Sequence, residues 1–442
     1  MFKTIGDAFK VKEVRRGLLF TFFILIIVRL GSHIPTPGVD TAALSNFYAN
    51  NKLAESGAGA LIDSFTGGSF QQMTIFALSV TPYITSSIII QLLTIAIPAL
   101  EEMQRDGEDG RKKMTAITRI VSVALAIIEA LGLSIGFGRA GLLLEFNALS
   151  VAVIVITLTA GSTFVMWLGE RATEKGVGNG ISIILLINIV SRMPNDFMNL
   201  YHQFIETQTS VYKIFAIVII LAVVILTTAL TVLLNDAERR IPVSYATKTQ
   251  GRRQVGGQQT HIPLKVNTGN VMPIIFASTL MSIPNIVINL FNVNVKSNVG
   301  NKILQGLNSN YWFNPSYPWA YIGLALYIFL VIFFAYFYTS ISFNPMEIAN
   351  NLKKSGGFVP GIRPGKPTQD YLNNILNYIV IIGAIGLILV AIIPIFFNGM
   401  FAADVSFGGT SLIIICGVII ETIKQIESKM IVRNYEGFLS SK

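Results

Sequence analysis

Apolar segments recur along the chain at roughly 18–34, 73–98, 116–137, 150–169, 181–200, 211–234, 271–292, 319–341, 372–397 and 410–427. About 20 consecutive apolar residues cover the hydrocarbon core of a bilayer, so each is long enough to cross it. The pattern predicts an all-α polytopic membrane protein with ten transmembrane helices. They divide into two sets of five, residues 1–200 and 201–442. A repeat with an odd number of spans crosses in opposite senses, so two pseudo-symmetric inverted halves are the expected arrangement, although the halves share no convincing sequence identity.

The second segment departs most from an ordinary membrane helix. FTGGSFQQMTIFALSVTPYITSSIIIQLLTIAIP, residues 65–98, carries no charge, and its part from Met73 to Ile97 is predicted to span. Within it Ser79, Tyr83, Ser87, Gln91 and Thr94 fall at spacings of three and four, which places them along one helical face. A polar stripe avoids lipid, because unpaired polar groups in hydrocarbon are costly, so it faces protein or water. Ile84 and Ile88 line the neighbouring face. Upstream, the short apolar segment Ala60 to Phe65 precedes the pair Gly67 and Gly68. It is too brief to span and predicts a half-helix folded back into the protein.

A second stripe lies in the seventh segment, where Ser278, Ser282, Asn285 and Asn289 repeat at four, three and four. Pro273 and Pro284 interrupt that segment, as Pro82 does the second, and each permits a kink. Two kinked, polar-striped spans could form a seam that opens, line a solute cavity, or pair within a bundle.

Composition agrees with the hydropathy pattern: the 442 residues are 52% hydrophobic and 13% charged, with a mean hydropathy of +0.60. The single cysteine, Cys416, excludes an internal disulfide and any cysteine-based zinc site, and the three histidines, His33, His202 and His261, have no metal-ligand spacing. The basic amino-terminal stretch is not followed by a small-residue cleavage site, so Leu18 to about His33 is expected to remain as the first span, with Arg29 snorkelling at its far end.

The net charge of +9 is distributed unevenly. With the amino terminus assigned to the cytoplasm, only Lys52, Arg139, Arg192, Lys296 and Lys302 fall outside, and Arg29 and Lys213 sit near span ends; the remaining Lys and Arg are cytoplasmic. Both termini are therefore expected in the cytoplasm. Two long cytoplasmic loops, about 235–270 and 342–370, are basic; they contain Arg239-Arg240, Arg252-Arg253 and GIRPGK. Such loops set topology and attract anionic lipid, and they also suit ribosomal RNA or an acidic motor protein.

Catalytic apparatus is not apparent. Gly365-Lys366 is followed by Pro367 and lacks the preceding glycine of a phosphate-binding loop, and Gly176, Gly178 and Gly180 follow no strand. Charges inside the spans are few: Glu129 stands out in the third, and Glu421 and Lys424 lie near the inner end of the tenth. That scarcity argues against ion-coupled pumping, while Glu129 keeps a secondary transporter of inverted-repeat design open.

Seven collinear motifs carry a resemblance: IPTPGVD at 34–40, FALSVTPYITSSIIIQLL at 76–93, GNGISII at 178–184, QGRR at 250–253, LKVN at 264–267, FVPGIRPG at 358–365 and FGGTSL at 407–412. Together they resemble the bacterial SecY family, the channel subunits of protein translocases, over nearly the whole chain. The resemblance implies a non-enzymatic, cofactor-free protein-conducting channel that passes unfolded preproteins across the bacterial cytoplasmic membrane and releases apolar segments laterally. It implies a plug at about 60–70, including Ile62, Phe65, Gly67 and Gly68, and a constriction ring of Ile84, Ile88, Leu185, Ile189, Ile275 and Ile414. Leu185 departs from the isoleucine common in bacterial members but has similar bulk. A lateral gate is implied between the second and seventh spans, at Ser87, Gln91, Thr94, Ser278, Ser282 and Asn285. Arg252, Arg253 and Arg363 are implied as contacts for the SecA motor or the ribosome, and small SecE-like and SecG-like membrane subunits as partners. An aliphatic ring suits this work, because it excludes water and ions without recognising any one passing sequence.

Overall fold

The computed structural model of the chain describes residues 9–50, 63, 65–202, 206, 210–245, 248–250, 253–255, 259–291, 298–401 and 409–439. Ile62 and Arg252 lie outside the described residues, and for Arg253, Asn285 and Asn289 only the backbone element is described.

The amino-terminal half contains α1 (Lys12–Gly31), α2 (Thr41–Asn50), α3 (Thr81–Ala96), α4 (Pro98–Arg105), α5 (Gly107–Arg139), α6 (Ala148–Lys175) and α7 (Gly180–Tyr201). It is followed by α8 (Ser210–Asp236), then β1 (Glu238–Tyr245), β2 (Lys248–Gln250), β3 (Arg253–Val255) and β4 (Gln259–Lys265). The chain continues through α9 (Met272–Phe291), α10 (Asn298–Gly306), α11 (Tyr321–Ser342), α12 (Pro345–Lys354), β5 (Gly357–Phe358), α13 (Lys366–Phe401) and α14 (Gly409–Leu439). Each of the ten predicted spans contains a helix: α1, α3, α5, α6, α7, α8, α9, α11, α13 and α14. Among the described residues, six helices are long and apolar enough to cross a membrane unaided.

The second span differs from its prediction. Residues 73–80 form turns, not helix, with Met73 at φ 47° and Ser79 at φ 47°. These turns are anchored on the chain after α1: Thr36 N donates to Met73 O at 3.0 Å and Ile75 N to Ile34 O at 3.0 Å. Because buried backbone can be satisfied by such pairing, irregular chain is tolerated at membrane depth inside protein. Ser79 therefore does not belong to the helical stripe. Pro82 does not kink a helix either; it lies in the first turn of α3, where its missing N–H has no intrahelical partner to lose. At 16 residues α3 is about 24 Å long, short of a roughly 30 Å core. It turns through 105° into the segment that starts at Pro98.

Within the amino-terminal half, α5 packs on α3 and α6, and α6 on α1 and α7. In the second half, α11 packs on α9 and α13, and α8 on α13 and α14. The halves meet along two edges, α9 on α5 at one and α14 on α7 and α1 at the other.

The basic loops contain strands that the all-helical reading missed. In ERRIPVSY, Ile241 and Val243 are buried two apart, the period of a strand with one face covered. β1 pairs antiparallel with β4, with Ile241 opposite Ile262, and also with β5 through Ser244 and Phe358. Ile241, Leu264 and Val359 form a small core with Leu372, Leu376 and Ile379 of α13. Both loops thus rest on one helix.

Candidate channel constriction and its closure

The GVGNG stretch sets the wall helix α7. Gly178 adopts φ +80°, a conformation that favours glycine. The Asn179 side chain caps the helix by accepting from Ile181 N at 3.2 Å and Ser182 N at 3.3 Å. Gly180 lies so close to α6 that a Cβ there would be 2.1 Å from Gly169 O. Leu185 and Ile189 follow one and two turns on, both buried.

The structure brings the six ring candidates to neighbouring positions. Ile88 of α3, Ile189 of α7, Ile275 of α9 and Ile414 of α14 are buried in one apolar cluster, with Ile84 packed against it. Leu185 belongs to the adjoining cluster, which Ile84 also touches. Four helices from both halves thus contribute aliphatic side chains to a continuous apolar zone, and Phe65 packs against both clusters.

Behind Phe65 the chain folds back through Gly67 at φ +67° and Gly68 at φ +87°. A Cβ on Gly67 would be 3.0 Å from Arg29 Nη1 and 3.0 Å from the Asn188 backbone, so a side chain there would crowd both as well as strain the backbone. Arg29 does not snorkel outward. Its Nη1 is buried beside Gly67 without a hydrogen-bond partner among the described residues. The turn has its own bonds: Gly68 N donates to Asp63 O at 3.1 Å, and Gln71 N to Asp63 Oδ1 at 3.1 Å.

The gate candidates are less unified. On α3, Gln91 Nε2 donates to Ser87 Oγ at 3.4 Å and Thr94 Oγ1 to Gln91 O at 2.6 Å, so these polar groups bond within their own helix. Ser278 and Ser282 are half-buried on α9, whose packing across the halves is on α5, the third span. Arg363 is exposed in a loop whose carbonyl at 363 accepts from Thr368 Oγ1 at 2.8 Å. Arg253 opens β3, away from it in sequence.

One functional-looking group escaped the sequence reading. Arg192, counted there as an outside charge, pairs with the buried Asp63. The available signal was an aspartate inside a short apolar segment, together with Arg192 and Asp196 four residues apart in a span.

A family model, SecY, matches residues 74–423. The chain belongs to the SecY family. The SecY protein translocase subunit of Streptomyces scabiei is 42% identical, with 99% of this chain and 100% of the relative covered. That of Bacillus subtilis is 40% identical, with both chains covered completely. Solved structures share the fold: one described as "The structure of a protein conducting channel" aligns with a TM-score of 0.63 at 17% identity, covering 96% of this chain and 97% of that one. Sec61 in a canine ribosome-channel complex aligns at 0.61 and 16% identity, with the same coverage. The SecY fold accounts for the helical count and for the presence of a plug and a lateral gate; the secondary-transporter alternative finds no support among these relatives.

Proposed function

We propose that this chain is the protein-conducting channel of a bacterial translocase, carrying unfolded preproteins across the cytoplasmic membrane and releasing apolar segments sideways into lipid. The observation that carries this reading is the aliphatic zone contributed by α3, α7, α9 and α14, with Phe65 packed against it. Such a zone resists wetting when closed and offers a passing chain no fixed hydrogen bonds, so it can seal without selecting sequence.

In this reading Ile84, Ile88, Leu185, Ile189, Ile275 and Ile414 are the ring and the segment about 60–70 is the plug. The α3 and α9 stripes line the exit to lipid. Both termini are cytoplasmic, as the distribution of Lys and Arg supports. The chain performs no chemistry of its own and takes its drive from a SecA-type ATPase or an elongating ribosome. Those partners, including ribosomal RNA, dock on the basic loops around Arg252, Arg253 and Arg363. SecE-like and SecG-like subunits flank the helices, and anionic lipid lies against the basic surface.

The test is import of a signal-bearing preprotein into vesicles containing the full chain, its small partners, the motor and ATP, with and without residues 60–70. Motor-dependent import, joined by an ion leak when the segment is deleted, is the expected result. Absence of import together with saturable uptake of a small solute would overturn the reading.

A further inference from the structure

We propose that Asp63, Arg192 and Asn188 form a polar latch holding the plug shut, and that this latch sets how strong a signal segment the channel demands before opening. The inference rests on the plug reading above. It draws on residues 63 and 65–79 and on the wall helix α7.

Asn188, Arg192 and Asp196 are spaced four apart, so they share one face of α7. Asn188 lies one residue before the ring candidate Ile189, and its side chain is almost fully buried at 1% exposure. Its Nδ2 donates to Phe65 O at 3.0 Å and to Ser79 Oγ at 3.1 Å. Ser79 O in turn accepts from Ser162 Oγ of α6 at 2.9 Å. One turn further along α7, Arg192 pairs with Asp63, which is also 1% exposed. The second carboxylate in reach is Asp196, 3.7 Å from Arg192 Nε.

This arrangement differs in kind from apolar packing. Phe65 against aliphatic side chains gives a non-directional hold, whereas the ion pair and the Asn188 bonds fix the segment in one position. Removing either partner of a buried ion pair leaves the other charge uncompensated, which weakens the closed state strongly. Asp196 gives Arg192 a carboxylate on its own helix. When the plug departs with Asp63, Arg192 keeps a carboxylate within reach, so opening does not strand a cation in the channel wall. Arg192 thus faces a plug carboxylate and a wall carboxylate together in the closed state and keeps the wall carboxylate when the plug leaves.

The test uses vesicles containing the full chain and its partners, reading resting ion flux and import of a preprotein with an intact or a weakened signal. Arg192→Gln is expected to raise resting flux and the relative import of the weakened substrate by about tenfold or more. The exchange Asp63→Arg with Arg192→Asp returns both toward the parent. Asn188→Ala gives an intermediate effect, and Asp196→Asn lowers import of the weakened substrate. If the Arg192→Gln protein inserts poorly, a cysteine pair replacing Asp63 and Arg192 is oxidised instead, and a block of import reversed by reductant is expected. Parental flux and selectivity in Arg192→Gln, or unimpeded import through the crosslinked pair, while deletion of 60–70 still leaks, overturns the latch and leaves the plug reading intact. A deletion that does not leak overturns the plug reading itself.

Discussion

The two edges at which the halves meet are built differently. At the α14 edge, groups bond and pack from one half to the other. Lys429 Nζ donates to Gly176 O at 3.1 Å, and Val14, Val177 and Ile426 form a shared apolar cluster. A Cβ on Gly178 would lie 2.9 Å from Thr422 Oγ1, so the glycine backbone seats directly against that side chain. At the α9 edge, the polar side chains of α3 close on their own helix, through Gln91 to Ser87 and Thr94 to Gln91 O. Where polar side chains bond within their own helix, as Ser87, Thr94 and the Gln91 amide nitrogen do, parting from a neighbouring helix leaves those groups paired. Separation at the other edge would break the Lys429–Gly176 bond and expose the Val14, Val177 and Ile426 cluster. In the reading proposed above, the α9 edge serves as the gate and the α14 edge as the hinge.

The largest effect expected from this asymmetry comes from tying the gate shut. A cysteine pair replacing Ser87 and Ser282, or their close neighbours, should stop export when oxidised and release it on reduction, as measured by preprotein import. A pair replacing Val14 and Ile426 at the hinge edge should leave import within about twofold of the parent, because a crosslink there constrains residues already in contact. Equal tolerance at both edges would dissolve the comparison.

A smaller effect is expected at the basic loops of the second half. Arg363 is exposed on the loop that Val359 and Ile362 pack onto α13. Arg363→Glu should slow motor-driven import severalfold while insertion and resting flux stay parental; unchanged import kinetics would remove Arg363 from the docking surface. Smallest is Lys429→Ala, which removes one hinge bond and should cost about 1 kcal/mol of stability. Thermal unfolding in detergent should fall by a few degrees with import retained, and a leak in its place would mean that the hinge edge also opens.

The helices were legible because crossing a bilayer demands long apolar runs, and each predicted run contains one. The proposed ring residues could be named only through motif resemblance, since hydropathy does not distinguish Ile88 or Ile414 from other buried isoleucines. The start of α3 was misread for a physical reason: FALSV is as apolar as a helix, and nothing local reveals that Thr74 and Pro35 pair across from one another. The strands of the basic loops were hidden by charge, because Arg239 and Arg240 obscured the alternation at Ile241 and Val243. Arg192 and Asp63 lie far apart in sequence, so their pairing is a tertiary fact. Only the oddity of an aspartate in a short apolar segment hinted at it.

The sheet has a mechanical consequence. β1 and β5 belong to loops separated by two transmembrane helices, yet they are joined by backbone hydrogen bonds and seated on a helix of 36 residues. At about 1.5 Å per residue that helix measures roughly 54 Å, well beyond the thickness of the hydrocarbon core. The layer is therefore the handle of a lever whose shaft is α13. A push delivered to either loop would reach the same shaft.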